Sequence, residues 1–140
     1  MDKFKEIRPI VLGIAKNNNR ILVSKGYDKV KDSTFYRCLG GGIEFHETSV
    51  EALKREFKEE IDIDIEVNDF CGIAENIFTF QGKKGHEIVF FYNIKIKDED
   101  HKEVFPMIDD DGEDVAIWMD IDDFKSKKKI LYPEEILKYL

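Results

Sequence analysis

The chain has 140 residues, of which 42% are hydrophobic and 12% aromatic, enough for the core of one globular domain and too apolar for a disordered chain. Its formal net charge is −8, and residues 98–123 hold 12 acidic side chains against one lysine, which disfavours binding to nucleic-acid polymers. No apolar run approaches the roughly 20 residues of a membrane span, and no targeting segment is recognisable. Two cysteines, Cys38 and Cys71, cannot build a disulfide framework and are predicted to be buried free thiols. The composition therefore predicts a soluble cytoplasmic protein.

The first part of the chain alternates between β-rich runs and turn residues. Residues 7–15 and 21–25 are predicted strands, and the asparagines at 17–19 predict a hairpin between them. Residues 35–39 predict a third strand, which we expect to end at a glycine turn over residues 40–42.

The element that the sequence predicts most clearly is a helix that follows the glycines. Thr48 and Glu51 have the spacing of a capping box, in which each side chain binds a free backbone N–H group of the other residue. Apolar residues then recur at spacings of three and four, which predicts one buried stripe made of Val50, Leu53, Phe57 and Ile61. We expect the helix to end near Ile61.

The remaining sequence predicts more strands and a second helix. Residues 81–85 are rich in glycine and lysine and are expected to form a turn, and Pro133 is expected to open a helix that runs to Leu140. Strands are predicted at residues 62–67, 73–80, 87–96 and 115–119. Strands around one central helix indicate a mixed α/β fold with an antiparallel or mixed sheet.

The central helix separates its charges. Glu56, Glu59 and Glu60 are expected on one flank of the apolar stripe, whereas Lys54, Arg55 and Lys58 are expected on the other side. Like charges one turn apart destabilise a helix, and only Glu59 is expected to find a local partner, Arg55. One interpretation is a solvated acidic surface. The other is a site for Mg²⁺ or Mn²⁺, which prefer carboxylate ligands, with a carbonyl from the nearby glycines.

Residues 41–63 resemble the signature of the Nudix hydrolase family. That signature is Gly, five residues, Glu, seven residues, Arg-Glu, an apolar residue, one residue, Glu-Glu, one residue, Gly and an aliphatic residue. Gly41, Glu47 and the run from Arg55 to Glu60 match it in type and spacing. Asp62 stands where the family has glycine, and we expect it to take a left-handed conformation as a helix cap.

The resemblance implies one MutT-like Nudix domain over residues 1–140, an α/β/α sandwich with a mixed sheet. It implies hydrolysis of a diphosphate bond in a nucleoside diphosphate linked to another moiety, with Mg²⁺ or possibly Mn²⁺ as cofactor. The implied metal shell and catalytic group contain Glu56, Glu59, Glu60 and the carbonyl of Gly41. Arg55 is implied to orient a glutamate through an ion pair, with Glu47 or Glu59 as its partner.

Many family members take a further acid from outside the helix. Asp111 and Glu113, in the acidic stretch before Trp118, are candidates for that role, and plain loop solvation is the alternative for each. Glu87 and Glu44 are the further candidates.

The substrate stays open at this stage, beyond a small-molecule nucleotide. Four aromatic residues are candidates for stacking on a base, although core packing is the commoner role of such residues: Tyr36, Phe78, Phe80 and Trp118. The alternative functions are a catalytically silent nucleotide-binding regulatory domain and an isomerase on the same fold; neither has a positive signal in the sequence. A monomer or a homodimer is expected, without nucleic-acid or membrane partners.

Overall fold

The computed structural model describes residues 5–108 and 114–140. The strands of this part of the chain are β1 (Ile7–Asn17), β2 (Arg20–Asp28), β3 (Ser33–Arg37), β4 (Leu39–Gly42), β5 (Ile65–Phe80), β6 (Lys83–Ile96), β7 (Val104–Pro106) and β8 (Val115–Asp120). Its helices are α1 (Ser49–Ile61) and α2 (Ile121–Lys125), with 3₁₀ segments at Asp98–Asp100 and Glu134–Tyr139. Among these described helices, none has the length and apolar character that crossing a membrane requires.

The strands form a mixed sheet, as predicted. The order along it is β5-β6-β1-β2-β8-β7, with β3 paired to β2 and β4 paired to β1. The long central strand β1 runs parallel to β6 and antiparallel to β2 and β4. The predicted asparagine hairpin between β1 and β2 is confirmed, with Asn17 opposite Arg20.

The alternation of side chains along β1 builds two cores, one on each face of the sheet. On one face, Val11 and Ala15 belong to a buried cluster with Leu53 and Phe57 of α1. On the other face, Ile10, Leu12 and Ile14 belong to a cluster with Phe124 of α2 and Ile136 of the last 3₁₀ segment. The sheet therefore lies between helical layers, which is the α/β/α sandwich expected from the resemblance.

The local signals of α1 are confirmed. Thr48 accepts a hydrogen bond from the backbone of Glu51, and the Glu51 side chain accepts one from the backbone of Thr48. The helix ends at Ile61, and Asp62 follows with φ 56°, a left-handed cap whose N–H group donates to the carbonyl of Lys58.

Several boundaries differ from the sequence prediction because strand pairing overrides local propensity. Gly40, Gly41 and Gly42 are not a turn but belong to β4, paired with β1. A Cβ atom on Gly40 would lie 2.0 Å from the carbonyl oxygen of Val11, so only glycine allows this approach of the two strands.

The turn predicted at residues 81–85 is shorter than expected. Strands β5 and β6 pair as far as Phe80 and Lys83, so the turn consists of Gln81 and Gly82, both with positive φ. Strand β5 is continuous across the predicted break at residues 68–72, which instead contains bulges. The predicted C-terminal helix is a 3₁₀ segment, and α2 and β7 were not predicted.

Of the two predicted buried thiols, Cys38 is buried and Cys71 is half-exposed; neither forms a disulfide. Cys38 lies in the tight interior between β3 and β4, where burial raises its pKa to about 12. Its thiol is therefore a packing group.

Candidate active site

Arg55 is the centre of an ion-pair network between α1 and the loop before it. Its Nε atom donates to Oε2 of Glu47 at 2.8 Å, and its Nη2 atom donates to Oε1 of Glu47 at 2.9 Å and to the carbonyl of Gly42 at 2.9 Å. The hydrogen bonds from Arg55, followed by the N–H group of Glu44, lower the pKa of Glu47 to about 2. The network fixes the start of the helix against β4.

The same guanidinium also contacts two glutamates of its own helix. Nη1 of Arg55 lies 2.9 Å from Oε1 of Glu56 and 3.2 Å from Oε2 of Glu59. The predicted pairing of Arg55 with Glu59 is present, whereas the prediction that Glu56 lacks a local basic partner is wrong. The reason is the length of the arginine side chain, which bridges flanks that a helical projection of backbone positions separates.

Glu56 lies directly against the glycine strand. A Cβ atom on Gly41 would lie 2.4 Å from the carboxyl carbon of Glu56, so glycine is required for the carboxylate to occupy this position. At Gly42 the restriction is weaker, because a Cβ there would meet nothing closer than Nη2 of Arg8 at 3.4 Å. The sequence predicted close backbone approach at these glycines, and the structure shows it at Gly40 towards β1 and at Gly41 towards Glu56.

Glu60, one turn after Glu56, is the most perturbed carboxyl group of the site. Burial, followed by interaction with the adjoining Glu56 carboxyl group, raises the pKa of Glu60 well above its usual range. Among the described residues, no lysine or arginine forms an ion pair with Glu60. Two carboxyl groups thus share one half-buried place, where the positive charge of Arg37 offsets only part of what burial and Glu56 do to Glu60.

These residues fit a hard divalent cation in donor chemistry, although they do not form a closed site by themselves. Within residues 5–108 and 114–140, no three His, Cys, Asp or Glu side chains are arranged to hold a metal ion. Arg55 explains this arrangement, because its guanidinium draws Glu56 and Glu59 towards itself. The fit rests on the neighbouring carboxyl groups of Glu56 and Glu60 and on the absence of a side chain at Gly41, which together place hard oxygen donors beside a bare backbone.

Glu60 lines a cavity of about 310 Å³ that adjoins a larger one. The small cavity is lined by the glycines of β4, Glu60 and Met107, and the larger cavity, of about 640 Å³, has an aromatic wall that includes Phe35 and Phe80. Three residues line both cavities: Arg8, Arg37 and Glu87. We refer to these three as the junction.

Glu87, a further candidate from the sequence, lies in the junction and lines the same small cavity as Glu60. Its side chain is only 5% exposed and accepts hydrogen bonds from Nη2 of Arg37 at 2.9 Å and from Asn76 at 3.4 Å. Arg8 and Arg37 were missed by the sequence reasoning. The signal that the sequence offered for each arginine was a charged side chain within an apolar strand. No periodic pattern relates either position to Glu60.

The remaining predicted site residues are Glu44, Asp111 and Glu113. Glu44 is exposed, lies 3.8 Å from Arg55, and donates its backbone N–H group to Glu47. Asp111 and Glu113 lie outside the described residues. On the near side of that gap, the N–H group of Ile108 donates to the carbonyl of Glu60 at 2.8 Å.

Of the four aromatic candidates for base stacking, Phe78 and Phe80 line the larger cavity. Trp118 lies in the core, 9% exposed, with its indole N–H group donating to the carbonyl of Lys102. Tyr36 packs edge-on against Phe124 on the opposite face of the sheet. Both therefore have packing roles away from the cavities.

Comparison with known proteins gives a consistent family and fold. A family model described as the NUDIX domain matches residues 6–140. A MutT Nudix hydrolase from Burkholderia pseudomallei has a similar structure, with a TM-score of 0.65 and 16% identity over 94% of this chain and 95% of that one. A MutT protein of the Nudix hydrolase family from methicillin-resistant Staphylococcus aureus 252 gives a TM-score of 0.57 and 21% identity over 96% and 98%.

A UDP-X diphosphatase has a similar structure as well, with a TM-score of 0.60 and 18% identity over 96% of this chain and 59% of that one. At these identities the similarity concerns the fold. A sequence search of curated proteins found no match.

Proposed function

The chain belongs to the Nudix family of pyrophosphohydrolases, and we propose that it is a metal-dependent enzyme that cleaves the diphosphate bond of a nucleoside diphosphate linked to another moiety. We further propose that residues 1–140 act as one domain, with the signature 41–63 as its catalytic segment. The proposed cofactor is Mg²⁺, with Mn²⁺ as a substitute.

One observation carries the proposal: the Glu56 carboxylate packs on the bare backbone of Gly41 and lies close enough to Glu60, one turn further along α1, for the two carboxyl groups to interact. Two carboxyl groups in contact repel each other once both are ionised, so a fold gains nothing from them unless a cation or a proton lies between. A purely structural role would be served equally well by glutamine at either position. The arrangement therefore favours cation binding.

The residues of the chain have separate proposed roles. Glu56, Glu59, Glu60 and the carbonyl of Gly41 would hold the cation, which supplies neutralisation of phosphate charge and activation of water when bound. Arg55 is a positioning residue, because its contacts with Glu56 and Glu59 fix where their oxygens lie. Glu47 in turn fixes the guanidinium through two hydrogen bonds. Asp111 and Glu113 remain candidates for a further acid.

The cavities support a substrate longer than a phosphate group. The small cavity holds Glu60 and the larger one has aromatic walls at Phe35, Phe78 and Phe80, so a ligand with a phosphate end and a planar end fits both. The similar UDP-X diphosphatase bears the name of a nucleoside diphosphate derivative as its substrate. We extend that substrate class to this chain, without a choice of base.

The test is a panel of nucleoside diphosphate derivatives incubated with the protein and separated by chromatography. We expect at least one compound to yield a nucleoside monophosphate with Mg²⁺, to remain intact after treatment with a chelator, and to be cleaved again when excess Mg²⁺ or Mn²⁺ is restored. Full activity in the metal-stripped sample would contradict metal dependence. Binding without cleavage of every compound would instead support the regulatory alternative.

The expected location in the cytoplasm and the expected monomer or homodimer stay predictions. Size-exclusion chromatography with light scattering would decide the oligomeric state.

A further inference from the structure

We propose that Arg8 and Arg37 form an anion clamp at the junction, which binds a phosphate group of the substrate between the glutamate helix and the aromatic cavity. The inference rests on the proposed function, because it specifies how the same site would hold its substrate. It adds two residues from β1 and β3 that lie outside residues 41–63.

Arg8 is the first part of the argument. It lines both cavities, and within the described residues it has no hydrogen bond or ion pair. The closest approach to the glycine strand is made by its Nη2 atom, which would lie 3.4 Å from a Cβ on Gly42. An arginine that lines two cavities without a partner retains all its donors for a ligand.

Arg37 is the second part. Its Nη2 atom donates to the buried carboxylate of Glu87 at 2.9 Å, and among the described residues its Nη1 atom has no hydrogen-bond partner. The side chain lines both cavities and is 32% exposed, so the guanidinium keeps donors that an anion in the cavity can use. Glu87 fixes the guanidinium plane in advance, which reduces the entropy lost when an anion binds.

The charge balance of the junction favours an anion. Arg8 and Arg37 carry two positive charges against one negative charge on Glu87. The other acidic groups lie outside the junction, Glu60 in the small cavity and four more in the larger one: Asp28, Glu75, Glu134 and Glu135. Asp28 accepts hydrogen bonds from three backbone N–H groups, and Glu135 forms an ion pair with Lys138 at 2.7 Å.

The chemical identity of the anion follows from the position. Guanidinium groups match the geometry of phosphate oxygens, and the junction separates the cavity that contains Glu60 from the one lined by Phe35 and Phe80. A nucleoside diphosphate derivative with its base against the aromatic wall has its diphosphate between that wall and the glutamates. The clamp would then bind the phosphate nearer the nucleoside.

The experiment measures binding of inorganic pyrophosphate by titration calorimetry in the presence of a chelator, so that it reports the arginines without metal or turnover. We expect wild-type protein to bind pyrophosphate and Arg8→Gln to bind it at least tenfold more weakly. Arg20→Gln is the matched control, because Arg20 forms an exposed ion pair with Glu103 and lines neither cavity. This control should retain wild-type affinity.

The second variant is Arg37→Lys, which keeps a positive charge beside Glu87 so that the fold is retained. We expect its affinity for pyrophosphate to be at least threefold below that of wild type. Equal affinities in wild type, Arg8→Gln and Arg37→Lys, or no metal-free binding by wild type, would overturn the clamp. Neither result depends on hydrolysis, so the clamp and the proposed function fail separately.

Once a substrate is found, Arg8→Gln should raise its KM about tenfold with kcat within about threefold, whereas a purely structural role would lower the folded fraction and not KM.

Discussion

Arg55 and Glu47 face each other through two parallel hydrogen bonds, Nε to Oε2 at 2.8 Å and Nη2 to Oε1 at 2.9 Å, although Glu47 precedes the helix and Arg55 lies within it. A lysine could make neither the fork nor the additional contacts with Glu56 and Glu59. The pair therefore connects the start of the helix with the carboxylates proposed to bind the cation.

We expect Arg55→Lys to lower turnover by about a hundredfold, because the glutamates lose the group that fixes their oxygens. The melting temperature should fall as well. Steady-state kinetics on the substrate from the panel and a thermal melt measure the two effects. Arg20→Lys, which alters an exposed ion pair with Glu103, is the control and should change turnover less than about twofold. Wild-type turnover in Arg55→Lys would remove Arg55 from the proposed positioning role.

Glu47→Gln tests the electrostatic part of the same pair through the pH dependence of stability. The pKa of Glu47 is lowered from its usual 4.5 to about 2 in the folded state. Its stabilising contribution is therefore present above pH 4.5 and is lost as the pH falls from there towards 2. Melting curves between pH 6 and pH 3 should show a shallower loss of stability in Glu47→Gln than in wild type. Parallel curves would show that Arg55 does not hold the charge of Glu47.

Glu56→Gln and Glu60→Gln should each reduce turnover on the order of 10²–10³-fold while the protein remains folded, because the amide keeps the shape and removes the charge that attracts a cation. In metal-free protein Glu60→Gln should be as stable as wild type or slightly more stable, since burial disfavours the charged form of Glu60. Glu56→Gln should be slightly less stable than Glu60→Gln, because it also loses the ion pair with Arg55. Glu66→Gln, on an exposed position of β5, is the matched control. Near wild-type turnover of either variant at saturating Mg²⁺ would exclude that residue from the shell.

Gly41→Ala examines the packing of Glu56 against the glycine strand. The new methyl group would meet the Glu56 carboxyl within about 2.4 to 2.6 Å, so the carboxylate must move while the strand keeps its pairing. We expect Mg²⁺ affinity to fall at least tenfold with a small change in melting temperature. Gly42→Ala, whose closest contact is at 3.4 Å, should show a smaller loss. The reverse order of the two variants would contradict the proposed ligand geometry.

Asp62→Gly concerns the departure from the family signature. Asp62 has φ 56°, which glycine adopts without strain, but its carboxylate also lies 3.4 Å from Nζ of Lys58. Relief of backbone strain and loss of this exposed ion pair oppose each other, so the free energy of unfolding should rise by at most about 1 kcal/mol. Catalysis and Mg²⁺ affinity should not change, because the carboxylate is directed to the lysine. A marked loss of Mg²⁺ affinity would identify Asp62 as a ligand and not a cap.

The sequence by itself determined the features that depend on neighbouring residues. Thr48 and Glu51 specified the start of α1, its apolar spacing specified the buried face, and Asp62 specified its left-handed end. The spacing of the motif from Gly41 to Glu60 indicated the family. These signals are local, because capping, helical periodicity and turn chemistry act within a few residues.

Only the tertiary structure decided which distant groups meet. The glycines expected to form a turn belong to a strand, because β4 pairs with β1. The long Arg55 side chain contacts Glu56 as well as Glu59. The junction brings together Arg37 and Glu87, which are 50 residues apart in the chain. Such contacts are set by strand order and register over the whole sheet, and a charged residue within a strand does not indicate which partner the sheet will bring to it.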